Sequence, residues 1–256
     1  MLNVISDMDG VIYRGSQLID GANDFIARML AQRVKFLFLT NNSEQTPRDL
    51  VQKLERLGIQ GLCEENFITS AMATAMFLKQ QKSEASAYVI GGGGLINELY
   101  NVGFTITQNN PDYVVVGKTS TGFNFETLKT ATALINAGAK FIGTNPDMVD
   151  PTEHGDEPAA GAILAAIEAA TGKKPYIIGK PNSLMMMMAA KKLGVHPDES
   201  LMIGDRMDTD IQGGMEAGMK TCLVLSGVTK KDDLDAYPYR PDFVFDSVAG
   251  IDVKKL

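Results

Sequence analysis

Cysteine and histidine are nearly missing from this 256-residue chain, which has two of each. Cys63 and Cys222 lie far apart, each inside an apolar segment, so a disulfide framework or a zinc site has nothing to build on. Both are expected to be reduced core residues. His154 and His196 share no ligand spacing with cysteine or with each other, which removes the usual zinc patterns. A run of about 18 apolar residues, the length a membrane-spanning helix needs, is also absent. The segment MLNVISDMDG meets two aspartates before a signal-peptide core could form. A cytoplasmic protein with no membrane partner is expected. Basic residues form no block: 24 Lys and Arg stand against 31 Asp and Glu, for a net charge of -7. That balance repels a polyanion, so no nucleic acid polymer is expected as a partner. No GxxxxGK[ST] occurs, which excludes a P-loop nucleotide site.

What is there is a globular composition, 45% hydrophobic, enough to bury a core. Short apolar runs recur as LNVIS (2–6), KFLFLT (35–40), YVIG (88–91), YVVVG (113–117), KFIGT (140–144), YIIG (176–179), SLMIG (200–204), TCLVL (221–225) and FVF (243–245). Helical patterns lie between them; PRDLVQKLERLG, for example, has Thr46 placed to cap it, Pro47 at its first position and Gly58 to stop it. Strand and helix in alternation predict an α/β fold with a doubly wound parallel sheet. Continuous apolar strands fit a sheet covered on both faces.

Such sheets bind ligands beyond the carboxyl ends of their strands, where connections diverge. The strand ends here carry Asp7-Met8-Asp9-Gly10, Thr40-Asn41-Asn42, Lys180-Pro181 and Asp205 in GDRMDTD. Asp7, Asp9 and Asp205 gathered in a partly dry crevice would repel one another unless protonated or joined by a cation. Hard carboxylate oxygens without histidine or thiolate favour Mg2+. Thr40 and the amides after it can donate to phosphate oxygens, and Lys180 supplies a positive charge. Two carboxylates spaced by one residue suit a division of labour, with Asp7 as nucleophile and Asp9 as acid and base.

DMDGV at 7–11, TNN at 40–42, KP at 180–181 and GDRMDTD at 204–210 resemble the four motifs of the haloacid dehalogenase superfamily. The long insertion containing GTNPD at 143–147 further resembles the NagD-like and 4-nitrophenylphosphatase branch, with its large α/β cap. The resemblance implies a Rossmann-like core and a covalent aspartyl-phosphate on Asp7. It implies Mg2+ held by Asp7 and Asp205 and by the backbone carbonyl of Asp9, with Asp210 supporting metal-bound water. The implied substrates are small-molecule phosphate esters, nucleoside monophosphates or sugar phosphates above all.

Residues 1–80 and 178–256 contain every one of these clusters and are expected to form the catalytic core, leaving 81–177 as the cap. A cap can exclude water and read the leaving group. Asp147 and His154 are its candidate substrate contacts, although TNPD can equally be a strand-ending turn fixed by Pro146. Judged singly, the motifs have plain readings: DxDG as a turn, Thr40-Asn41-Asn42 as a helix cap, Lys180 as a solvated loop residue, and Asp210 in a first helical turn. Four such coincidences at four strand ends favour phosphate-ester hydrolysis. The alternatives are a phosphotransferase or phosphomutase on the same nucleophile, and a non-enzymatic receiver phosphorylated on Asp7. Gly91–Gly94 fails the dinucleotide pattern GxGxxG and reads as a tight turn first and a substrate-facing loop second. Met185–Met188 reads as adaptable packing, and the scattered Lys pairs at 173, 191, 230 and 254 read as solvated surface. Nothing in the sequence speaks against a homo-oligomer.

Overall fold

Strands and helices alternate along almost the whole chain of the computed structural model, which describes residues 2–152 and 155–255. In chain order they are β1 (Asn3–Ser6), β2 (Tyr13–Arg14), β3 (Gln17–Leu18), α1 (Ala22–Ala31), β4 (Phe36–Thr40), α2 (Pro47–Arg56), β5 (Phe67–Thr69), α3 (Ser70–Gln81), β6 (Ser86–Ile90) and α4 (Gly93–Asn101). Then come β7 (Thr105–Ile106), β8 (Tyr113–Val116), α5 (Phe125–Asn136), β9 (Lys140–Gly143), β10 (Val149–Thr152), β11 (Gly155–Pro158) and α6 (Ala160–Thr171). Last are β12 (Tyr176–Ile177), α7 (Ser183–Leu193), β13 (Ser200–Gly204), α8 (Gln212–Glu216), β14 (Lys220–Val224) and β15 (Phe243–Phe245). The chain divides into two units, the first made of Met1–Thr40, Pro47–Ile68 and Lys180–Leu256, the second of Asn41–Thr46 and Thr69–Gly179.

The first unit is built on a six-stranded sheet in the order β15-β14-β13-β1-β4-β5. Every residue of β4 and β13 is buried, which is why these strands are continuous apolar runs. β1 pairs in parallel with both neighbours, Val4 lying opposite Phe36 on one side and Leu201 on the other. From β1 the chain winds outward to β4 and β5, then returns to β13 and winds the opposite way. The topological switch point therefore falls between β1 and β13, where such sheets bind ligands. α1 buries Ala22, Phe25, Ile26 and Met29, one helical stripe, against a core that includes Phe36, Phe38 and Phe67. Phe36 and Phe38 meet edge to face at 5.7 Å.

The second unit has its own five-stranded parallel sheet, in the order β12-β9-β8-β6-β7, and a separate antiparallel hairpin, β10–β11. Its core gathers Ile90, Val114, Val116, Phe141, Leu164 and Ile167. The Asn124 side chain accepts the Glu126 and Thr127 N–H groups, satisfying donors that the first turn of α5 would otherwise leave open.

Three expectations change in detail. Cys222 is buried, but Cys63 is exposed, because it starts a short 3-10 turn at Glu64–Asn66 and its thiol donates to Asn66 Oδ1. The lysine pairs are not all solvated surface: Lys173, Lys192 and Lys230 donate to the carbonyls of Ile135, Phe67 and Gly227. The division into units also differs from boundaries at 80 and 178. Residues 41–46 and all of α3 group with the second unit, because α3 packs on α4 and the 44–45 backbone sits on the glycine-rich turn before it. Gly94 N–H donates to Glu44 O at 2.9 Å, and a Cβ at Gly94 would stand 2.6 Å from that oxygen. Gly91–Gly94 is thus a close-approach turn. Met185, Met186 and Met188 are buried and Met187 is exposed, the packing pattern of an amphipathic helix.

Candidate active site

The first unit brings four charged side chains to the carboxyl ends of its central strands. Asp7 follows β1 directly, and its N–H still donates to Ile203 O, so the sheet fixes its backbone. Gly10, at φ 76, turns the chain back so that its N–H reaches Tyr13 O. Between them Asp9 is exposed, while Asp7 is buried. Thr40 is the last residue of β4 and is buried. Asp205 follows β13, and Asp210 lies in a single π turn, Met207–Ile211, that swings its carboxylate back under the strand end. Only glycine fits at 204, since a Cβ there would lie 2.1 Å from the Cβ of Asp210.

Lys180 is the hub. Its Nζ lies 2.8 Å from Asp7 Oδ1 and 2.6 Å from Asp210 Oδ1, and it is only 2% exposed. Asp7, Asp205 and Asp210 can each present an oxygen such that all three lie within 4.8 Å of one another. One ammonium thus faces three buried carboxylates. Burial first, then repulsion from Asp210 and Asp7, pushes Asp205 up to about 8. Burial likewise pushes Asp210 to about 6, although Lys180 opposes the shift. Asp7 is raised for the same reason, with Lys180 pulling the other way. Burial works against the Lys180 ammonium, but Asp210 and Asp7 outweigh it and hold its pKa above the ordinary value. The cluster is short of positive charge, and three hard oxygens at this spacing fit a divalent cation that would supply it.

Asn41 and Asn42 continue the chain from Thr40 but have their side chains engaged within the second unit. Asn41 Nδ2 donates to Asp147 Oδ2 at 3.1 Å, and Asn42 Oδ1 accepts the N–H groups of Glu44 and Gln45. Asp147 therefore has a protein partner, and His154 lies outside the described residues. Two sets of residues escaped the reading of the sequence. Asn145 is buried, donates to Asn41 O at 2.8 Å and accepts from Asp147 N–H. Its signal was visible: Thr144-Asn145 ends a strand as Thr40-Asn41 does. The other is the turn Ser226–Thr229, in which Val228 N–H donates to Asp205 Oδ2 at 2.6 Å. It carries no charged residue, so nothing in the sequence drew attention to it.

This constellation has relatives. Residues 4–105 match the model of the haloacid dehalogenase-like hydrolases, and 177–251 match a second, HAD-hydrolase-like model. The chain is 45% identical to the dihydroxyacetone phosphatase of Corynebacterium glutamicum (strain R), over 98% of this chain and 90% of that one. The chain belongs to the haloacid dehalogenase-like hydrolase family. It is also 42% identical to the ribonucleotide monophosphatase NagD of Escherichia coli (strain K12), over 98% of both chains. The solved structure of NagD from E. coli K-12 superposes with a TM-score of 0.93 over 99% of each chain. The α/β fold is thus that of the NagD-like haloacid dehalogenase phosphatases, and the chain is a hydrolase of that type. No helix among the described residues is long and apolar enough to cross a membrane.

Proposed function

We propose that this protein is a Mg2+-dependent phosphatase that hydrolyses small phosphate monoesters, nucleoside monophosphates or sugar phosphates, through a phospho-aspartate on Asp7. The observation that carries the reading is the buried Lys180 ammonium bridging Asp7 and Asp210 beside Asp205. Asp7 Oδ attacks phosphorus as the bond to the ester oxygen breaks, and Asp9, exposed two residues on, gives the departing alkoxide its proton. Asp9 then takes a proton from water as that water attacks phosphorus, the bond to Asp7 breaks, and inorganic phosphate leaves. Lys180 and the Thr40 hydroxyl donate to phosphate oxygens, and the amides of Asn41 and Asn42 belong to the same assignment. Asp7, Asp205 and the Asp9 carbonyl would hold the Mg2+, with Asp210 supporting its water. Bound there, the cation offsets the charge of the three carboxylates and of the phosphoryl group.

Asp147, held by Asn41 and Asn145 at the end of β9, is proposed to meet the leaving group. The names of the relatives support a small-molecule ester: one is named for a triose phosphate, the other for ribonucleotide monophosphates. The proposed setting is the cytoplasm, with no membrane or nucleic acid polymer as partner. The test is phosphate release from a panel of nucleoside monophosphates, sugar phosphates, phosphoglycolate and pyridoxal phosphate, with and without Mg2+. Mg2+-dependent release that Asp7→Asn abolishes is expected. No release from any compound by the folded protein would overturn the reading.

A further inference from the structure

We infer that the turn Ser226–Thr229 is a positioning element for Asp205, and that it sets how tightly the site holds a divalent cation. Asp205 is bonded to this turn at both ends. Its Oδ2 accepts Val228 N–H at 2.6 Å, and its backbone carbonyl accepts Thr229 N–H at 3.1 Å. The Thr229 hydroxyl then accepts Met207 N–H, which ties the turn to the residues that carry Asp210.

The carboxylate is also boxed in sterically. A Cβ at Gly227 would stand 1.9 Å from Asp205 Oδ2, and a Cβ at Gly10 would stand 2.4 Å from the same oxygen. Two glycines from distant parts of the chain therefore close on one carboxylate oxygen. The turn is itself anchored. Ser226 Oγ donates to Gly10 O at 2.7 Å, Arg14 Nη2 to Gly227 O at 3.1 Å, and Lys230 Nζ to the same carbonyl at 2.6 Å. Gly10 belongs to the loop that carries Asp7 and Asp9, so the turn locks the rotation of Asp205 and fixes its distance from that loop.

A carboxylate held in one rotamer meets a cation without losing rotational freedom, and partners that orient a ligand in this way tune metal affinity. The inference rests on the proposed function only for what the cation does afterwards. The test uses Mn2+ as a probe of the purified full chain, with binding followed by electron paramagnetic resonance. The φ of Gly227 lies outside the left-handed region, but a Cβ there would also stand 2.4 Å from the Cβ of Asp205, so Gly227→Ala is expected to shift the turn and displace the whole Asp205 side chain. Its Mn2+ affinity is expected to fall by about tenfold or more. Ser226→Ala, which loses one anchor, is expected to bind about threefold more weakly. In both variants the Mg2+ concentration for half-maximal phosphate release should rise while KM at saturating Mg2+ stays put, a split that general loss of structure would not give. Wild-type Mn2+ affinity in folded Gly227→Ala would overturn the inference, and should that variant not fold, wild-type affinity in Ser226→Ala would do so. Weakened Mn2+ binding in a protein that releases no phosphate from any ester would sustain the inference while sinking the phosphatase reading.

Discussion

The two units share one architecture and treat charge in opposite ways. Each is a parallel sheet with helices, and each places polar residues at the ends of its strands. In the first unit those residues include Asp7, Lys180, Asp205 and Asp210, and among the described residues every buried charged side chain is one of these four. Among the described residues of the second unit the buried polar ones are Ser43, Thr69, Ser70, Thr74, Thr144 and Asn145, all neutral. Its charged groups, such as Lys118 with Asp150 and Glu44, stay partly solvated. Neutral groups need only hydrogen bonds to be buried without cost, whereas buried charges need a counterion or a proton. The first unit stores an electrostatic deficit that suits chemistry; the second has a satisfied polar network that suits shape.

The comparison breaks most visibly at Asp7. Asp7→Asn should lower turnover by at least about 10^3-fold, measured as steady-state phosphate release, because a carboxamide cannot act as the nucleophile. If the first unit does carry uncompensated charge, its stability without cation must depend on pH. The folded-state pKa of Asp205 is raised from 3.8 to about 8 and that of Asp210 to about 6, so the folded form keeps protons that the unfolded chain has lost. Stability from these groups is therefore fully present below about pH 4 and declines as pH rises to about 8. Scanning calorimetry in chelator should show Tm falling across that window, and added Mg2+ should restore it most at the alkaline end.

A smaller effect is expected from the second unit. Asn145→Ala removes a donor to Asn41 O and an acceptor for Asp147 N–H, and should cost about 1–3 kcal/mol in chemical denaturation. Its kinetic signature should be a raised KM with kcat little changed, the reverse of Asp7→Asn. The smallest effect sharpens the comparison within the first unit, where a neutral group is buried with no partner charge. Burial alone pushes the Cys222 thiol to about 12, while Cys63 is exposed. A thiol reagent should modify one cysteine in the native protein and two in denaturant.

The first unit was the more legible of the two, because its signal is local. Asp7, Lys180 and Asp205 each follow an apolar run and Thr40 ends one, so the periodicity that finds a strand also finds the candidate residues at its end. The first and last strands, LNVIS and FVF, were placed to within a residue. β5 was missed because FIT runs straight into α3 at Ser70 with no turn residue to bound it, and β10–β11 because Asp150, Pro151, Asp156 and Glu157 hide the alternation that marks a hairpin. Asn145, despite its place at a strand end, and the turn at Ser226–Thr229 were passed over for another reason. Their importance lies in contacts across more than 100 residues for Asn145 and more than 20 for Val228, and neither carries a charge. Charge advertises itself in a sequence, whereas a well-placed amide or a missing Cβ does not.

Because residues 41–46 group with the second unit, that unit is made of two pieces of chain and is no simple insertion. Ser43 Oγ accepts Lys118 N–H, a Cβ at Gly117 would meet that hydroxyl at 2.7 Å, and Gly94 is fitted to the Glu44 carbonyl. Evolution or an engineer swapping only the segment 81–177 between relatives would carry the mould and leave part of its cast behind. A chimaera that keeps this packing has to transplant 41–46 and α3 as well, so the parts of this unit lie in non-adjacent stretches of the gene that must change together.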